Sequence, residues 1–141
     1  MDYTKKHIYH AANAACAACF AVTIWLFTRP YAIAMRFSDG ENIHLHYCSY
    51  FDFLPLGYGD FLLIMSALST ILSAFVFLYG TSTVKNPMYA IYLTAFSLFL
   101  SVVIALTHHL SFVPITALVL LALSFALQCV GRHIRKPGDS Q

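Results

Sequence analysis

Four long apolar stretches, each close to the length of a bilayer crossing, divide this chain and leave little of it for anything else. They are HIYHAANAACAACFAVTIWLFT from His7 to Thr28, FLLIMSALSTILSAFVFLYG from Phe61 to Gly80, PMYAIYLTAFSLFLSVVIALT from Pro87 to Thr107 and FVPITALVLLALSFALQCVG from Phe112 to Gly131. A hydrocarbon core of about 30 Å needs roughly 20 such residues per helix, and no Asp, Glu, Lys or Arg interrupts any of the stretches. Only 10% of the 141 residues are charged and 60% are hydrophobic. A water-soluble domain carries about 25% charged residues, so this chain cannot cover a water-facing surface and its main solvent is expected to be lipid. The net charge of +2 is small and scattered, which argues against nucleic acid as a partner.

Helix-end chemistry agrees with these spans. Asp60 is placed to cap the second, Asn86 followed by Pro87 to start the third, Ser111 to cap the fourth and Gly131 to end it. Lys5 and Lys6 precede the first stretch, and Ala32-Ile33-Ala34 resembles a cleavage site. The apolar run is longer than the 7–15 residues of a signal peptide, so it is read as a retained span. With four crossings, both termini share a side with the link between the second and third spans. That side collects Lys5, Lys6, Lys85, Arg132, Arg135 and Lys136, against Arg29 and Arg36 opposite. The bias predicts cytoplasmic termini, or matrix or stromal ones in an organelle.

The outer loop, residues 29–60, has a pattern of its own. Tyr31, Ile33, Met35 and Phe37 alternate with smaller or polar residues, as do Ile43, Leu45 and Tyr47, and Asp39-Gly40 stands between the runs. This predicts a β-hairpin. Pairing Phe37 with Ile43, Met35 with Leu45 and Ile33 with Tyr47 gives one fully apolar face, and a buried face specifies register strongly. That arrangement is therefore the expected one, with Arg36, His44, His46 and Cys48 on the other face.

Those histidines and the cysteine are the candidate chemistry. Imidazole and thiolate suit copper or zinc, and alternate strand residues lie on one side within reach of a shared ion. His108 and His109, at the outer end of the third span, complete the candidate metal set. Strand alternation accounts for the spacing of NIHLHYCSY without any metal, and that bland reading is the favoured one. Cys16 and Cys19 form a C-x-x-C pair within an alanine-rich span, without the strand that gives such a motif redox meaning. His10 lies near the opposite end of the membrane from His108 and His109, so they are not expected to share a haem iron. Cys129, beside GRHIRK, is a site at which palmitoylation is conceivable. Nothing resembles a nucleophile–base pair, paired carboxylates or a phosphate-binding loop, and the chain is read as no enzyme.

Small and hydroxylated residues recur at helical spacing. Ala11, Ala15 and Cys19, with Ala14 and Ala18, make a small-residue face on the first span. Ser66, Ser69, Thr70 and Ser73 line the second, and Thr94, Ser97 and Ser101 the third. Interhelical hydrogen bonding, about 0.6 kcal/mol per contact, explains such stripes, whereas an ion path usually carries intramembrane charge.

The layout resembles that of four-span proteins of the claudin and peripheral-myelin-protein type and of the MARVEL type. These share inside termini, a long first outer loop and, in claudins, strands in that loop. The resemblance covers the whole chain as topology. The Trp-rich signature with two loop cysteines is missing: the loop has only Cys48, and the sole tryptophan is Trp25. What the resemblance implies is a class of role, assembly or auxiliary function, with no residue carried over.

The expected molecule is thus an all-α integral membrane protein, a single domain over 1–141, built as a four-transmembrane-helix bundle with a small extracytoplasmic β-hairpin between helices 1 and 2. The expected function is a non-enzymatic assembly, interaction or auxiliary subunit. Its contact surfaces would be Ala11, Ala15 and Ala18 together with Tyr47, Tyr50, Phe51 and Phe53, since aromatic rings favour interface cores. Its partners would be lipid, other integral membrane proteins or further copies of itself. A copper, zinc or redox protein is the first alternative, and a small pore or transporter subunit using Ser69 or Ser73 the second.

Overall fold

The computed structural model describes residues 3–39, 42–52, 60–82, 88–107 and 111–134. Its elements are α1 (Tyr3–Phe27), β1 (Ile33–Asp39), β2 (Asn42–Cys48), α2 (Asp60–Ser82), α3 (Met88–Thr107) and α4 (Phe112–Ile134). At a rise of 1.5 Å per residue, helices of 20 to 25 residues are about 30–37 Å long. All four are long and apolar enough to cross a membrane. They close into a ring in which α1 packs on α4 and α2, and α3 packs on α2 and α4.

The distribution of side chains is inside out relative to a water-soluble bundle. On α2 the buried set includes Ser66, Ser69, Thr70 and Ser73, while Leu68, Leu72, Phe75 and Leu78 are exposed. On α3, Thr94, Ser97 and Ser101 are buried while Tyr92, Phe96 and Phe99 are exposed. Leucine and phenylalanine need no cover when the solvent is hydrocarbon, whereas a hydroxyl facing lipid finds no partner beyond its own helix. Exposed Tyr3, Tyr79, Tyr89 and Tyr92 ring the end of the bundle that carries the termini, and exposed Trp25 and Tyr31 mark the hairpin end. Tyr and Trp are enriched at both headgroup levels of a membrane protein.

Helix α4 continues past Gly131 to Ile134, so Gly131 does not end it. This glycine is buried against α1, where an added Cβ would lie 3.8 Å from both the Tyr9 ring and Asn13 Oδ1. Those are ordinary contact distances, so Gly131 is one small residue of the α1–α4 interface and a methyl would fit there. Ser111 ties two elements together: its Oγ accepts a 2.6 Å hydrogen bond from the Ala34 backbone N–H and so anchors β1 at the start of α4. Helix α2 begins at Asp60 as expected. The side chain of Asp60, and Asn86 and Pro87 altogether, lie outside the described residues.

The hairpin forms, but in another register. Ile33 pairs with Cys48, Met35 with His46, Phe37 with His44 and Asp39 with Asn42. This is one residue away from the arrangement that would have matched Phe37 with Ile43, and it opposes the histidines to apolar positions of β1. The expected register assumed that an entire apolar face is buried. Among the described side chains the base is buried, with Ile33 and Cys48 inaccessible, whereas Leu45 and Tyr47 are about half exposed. The observed register sets Ile33 opposite Cys48 at that buried base, the seat of the hairpin.

That seat is well built. The Tyr50 N–H donates to the Phe27 carbonyl at 3.1 Å, and the Ala32 N–H donates to Arg29 O at the same distance. The Tyr50 ring stacks on Phe27, centroids 4.0 Å apart. Both rings join Ala32, Ile33 and Cys48 in a core completed by Leu63 and Ala67 of α2, Ile104 of α3 and Ala117 of α4. All four helices therefore contribute to the core that holds Tyr50.

Candidate functional site

Beneath Tyr50 the bundle interior is polar. Helices α2 and α3 run antiparallel, and their hydroxyl stripes face one another as rungs. Ser73 Oγ lies 2.6 Å from Thr94 Oγ1, and Ser97 Oγ donates to Ser69 Oγ at 3.0 Å one turn further toward the hairpin. The spare hydroxyl protons are returned to the helices' own carbonyls, Ser69 and Thr70 to Ser66 O and Thr94 to Ala90 O at 2.7 Å.

Gln128 of α4 completes the lower rung. Its Nε2 donates to Thr94 Oγ1 at 2.9 Å and contacts Cys16 Sγ of α1 at 3.7 Å. The Cys16 thiol in turn donates to Ser124 O at 3.7 Å. A threonine hydroxyl has one proton and two lone pairs. Since the Thr94 proton goes to Ala90 O, both lone pairs accept, one from Ser73 and one from Gln128. This saturation orients the Gln128 amide, with its NH2 toward Thr94 and its Oε1 turned away. One side chain from each helix thus meets at a single node.

Among the described residues, four buried polar atoms in this interior have no hydrogen-bond partner: Ser66 Oγ, Ser101 Oγ, Ser124 Oγ and Gln128 Oε1. Ser66 and Ser101 stand one turn above Ser69 and Ser97, where the ladder's register calls for a third rung. The polar seam stops in both directions. Phe77 and Ala90, both buried, lie one turn beyond Ser73 and Thr94, and the Tyr50 core closes the hairpin side. Among the described residues it is an enclosed polar island containing no ionisable carboxylate or amine.

The serine and threonine stripes of α2 and α3 were readable in the sequence, and they face each other through interhelical hydrogen bonds. Gln128 and Ser124 were not singled out. The available signal was their i, i+4 spacing on the stripe Pro114, Ala117, Leu121, Ser124, Gln128 and Gly131, which is the buried face of α4.

The other candidate residues fall in separate places. His44 and His46 are exposed on β2, while Cys48 is buried at the hairpin base with its thiol donating to Ile33 O at 3.8 Å. His108 and His109 lie outside the described residues. Among the described residues no group of three or more His, Cys, Asp or Glu side chains is placed to hold a metal ion. All four cysteines are free; Cys16 and Cys19 are buried and Cys129 is exposed.

Of the expected contact residues, Ala11, Ala15 and Ala18 are exposed on α1, as is Tyr47 on β2. Tyr47 makes an edge contact with Tyr31, centroids 5.8 Å apart. Phe51 is partly buried and Phe53 lies outside the described residues. Tyr50 is the correction. It is 1% exposed, so it serves as a core plug and presents no outer surface. Burial pushes its phenol pKa up, above the ordinary range of a tyrosine.

Comparison with protein-family models, curated protein sequences and solved structures finds no match to this chain.

Proposed function

We propose that the chain is a non-enzymatic four-span membrane subunit that assembles laterally with another integral membrane protein, its termini on the cytoplasmic side. The observation that carries this reading is the unused face of α1. Ala11, Ala14, Ala15, Ala18 and Ala21 are all exposed, whereas the face formed by Ala12, Cys16, Cys19, Phe20 and Thr23 packs inward. Small residues at four-residue spacing let helix backbones approach closely, which is how helices associate where lipid removes the hydrophobic drive. The serine stripes carry no such reading, because they face inward and Ser69, Ser73, Thr94 and Ser97 already have interhelical partners within the chain.

The hairpin adds a second outward element. Tyr31, Leu45 and Tyr47 are each at least half exposed, and the Arg29 guanidinium sits 3.7 Å over the Trp25 ring at the end of α1. These groups lie on the same side of the bilayer as the hairpin end of the alanine face. The test is native mass spectrometry of the full chain gently extracted from its own membrane. A stoichiometric second membrane protein is the expected result. A particle with only the mass of a single chain and lipid contradicts the proposal, and a single chain carrying copper or zinc favours metal chemistry instead.

A further inference from the structure

The enclosed seam has more hydrogen-bonding capacity than the protein satisfies, and the surplus is concentrated at two levels. On the termini side are Ser124 Oγ and Gln128 Oε1, one helical turn apart on α4 and both unpartnered. On the hairpin side are Ser66 Oγ and Ser101 Oγ, on facing helices and likewise unpartnered. All four side chains are at least nine-tenths buried: Ser66 and Ser124 have no exposure, Ser101 has 2% and Gln128 has 4%. A buried polar group without a partner is costly, and the cost is avoided when an ordered molecule bridges it.

We propose that the seam is a built hydration site, in which buried water bridges Gln128 Oε1 to Ser124 Oγ at one level and Ser66 Oγ to Ser101 Oγ at the other. The chemistry selects water over an ion. No carboxylate or ammonium lies in the seam to balance a charge, and an unpaired ion in a low-dielectric interior is far more expensive than a neutral molecule. Gln128 Oε1 needs a donor, because Thr94 fixes the amide with its NH2 already used. The serine hydroxyls accept or donate as required. Water supplies two donors and two acceptors, and the two to four polar partners it needs are those the helices leave over. Since Phe77 and Tyr50 bound the seam, the water is resident and does not form a continuous file across the bundle.

The test is the sign of a stability change in the full chain reconstituted in lipid nanodiscs. With bridging water, Ser66→Ala, Ser101→Ala and Ser124→Ala each strip a partner from a bound molecule and lower the thermal midpoint by about 4 °C. With a dry seam, the same substitutions remove a buried hydroxyl that had no partner, and the midpoint rises or stays level; that result overturns the proposal. If unfolding is irreversible, a structure that resolves ordered water decides. Density within hydrogen-bond distance of Gln128 Oε1 supports the site, and an Oε1 packed only against carbon overturns it.

Discussion

Helices α1 and α2 both carry small residues every third or fourth position, yet the two stripes have opposite fates. On α2 the small residues are Ser66, Ser69, Thr70 and Ser73, and they are buried, with Ser69 and Ser73 hydrogen-bonded to α3. On α1 they are Ala11, Ala14, Ala15 and Ala18, and they face outward. Spacing alone does not distinguish the cases; the hydroxyl does. A serine turned to lipid has no partner beyond its own helix and gains one in the interior, whereas an alanine methyl costs nothing on either side and remains available for another helix. What remains exposed on α1 is thus the set of positions the chain's own folding does not use.

Substitutions separate the two classes, beginning inside. Tyr50→Ala empties a place in the core to which all four helices contribute. Loss of a buried aromatic ring costs about 3–5 kcal/mol, and amide exchange should show β1 and β2 losing protection while the lower helices keep theirs. Thr94→Val keeps the shape but deprives Ser73, Gln128 and Ala90 O of their partner. At about 0.6 kcal/mol per intramembrane bond, the three contacts predict roughly 2 kcal/mol, measured by unfolding in detergent. A Gln128→Leu change made in the Thr94→Val background should then cost less than in the wild type, because the two residues share one node.

A pH effect is expected at the loop seat. Burial raises the Tyr50 pKa in the folded chain, so the folded state holds the phenol proton more tightly than the unfolded one. The resulting stabilisation is complete below the ordinary tyrosine value of about 10 and declines as pH rises through and above it. Tyr50→Phe should abolish this alkaline sensitivity, as read from hairpin amide protection against pH. The smallest stability effect belongs to the outer stripe: Ala15→Leu should change the stability of the isolated chain by no more than about 0.5 kcal/mol.

The four spans were legible because apolar length is a direct physical requirement of a bilayer. Their ends agree within a few residues, and Gly131, expected to end α4, lies inside it. The hydroxyl stripes of α2 and α3 were legible for a related reason, since both partners repeat at the same spacing. The fourth contributor, Gln128, was hidden by standing as one amide among leucines, without a stripe of amides to announce it. The hairpin's existence followed from alternation around Asp39-Gly40, but its register did not, because alternation is informative only where a whole face is buried. Here Ile33 and Cys48 are buried at the base, while Leu45 and Tyr47 are half exposed. Tyr50 looked like an exposed loop aromatic for the same reason: no local pattern encodes a reach back across the top of a bundle to Phe27.

The central claim is that the outward alanine face of α1 joins this chain to a membrane partner. Its most direct test compares the complexes extracted from the native membrane by wild type, Ala15→Leu and Leu72→Phe, with native mass spectrometry as the readout. Leu72 is 52% exposed on α2 and supplies a lipid-facing control away from the stripe. The partner should persist with Leu72→Phe and be lost with Ala15→Leu, while both variants keep the wild-type thermal midpoint. A partner retained in full by Ala15→Leu would contradict the account.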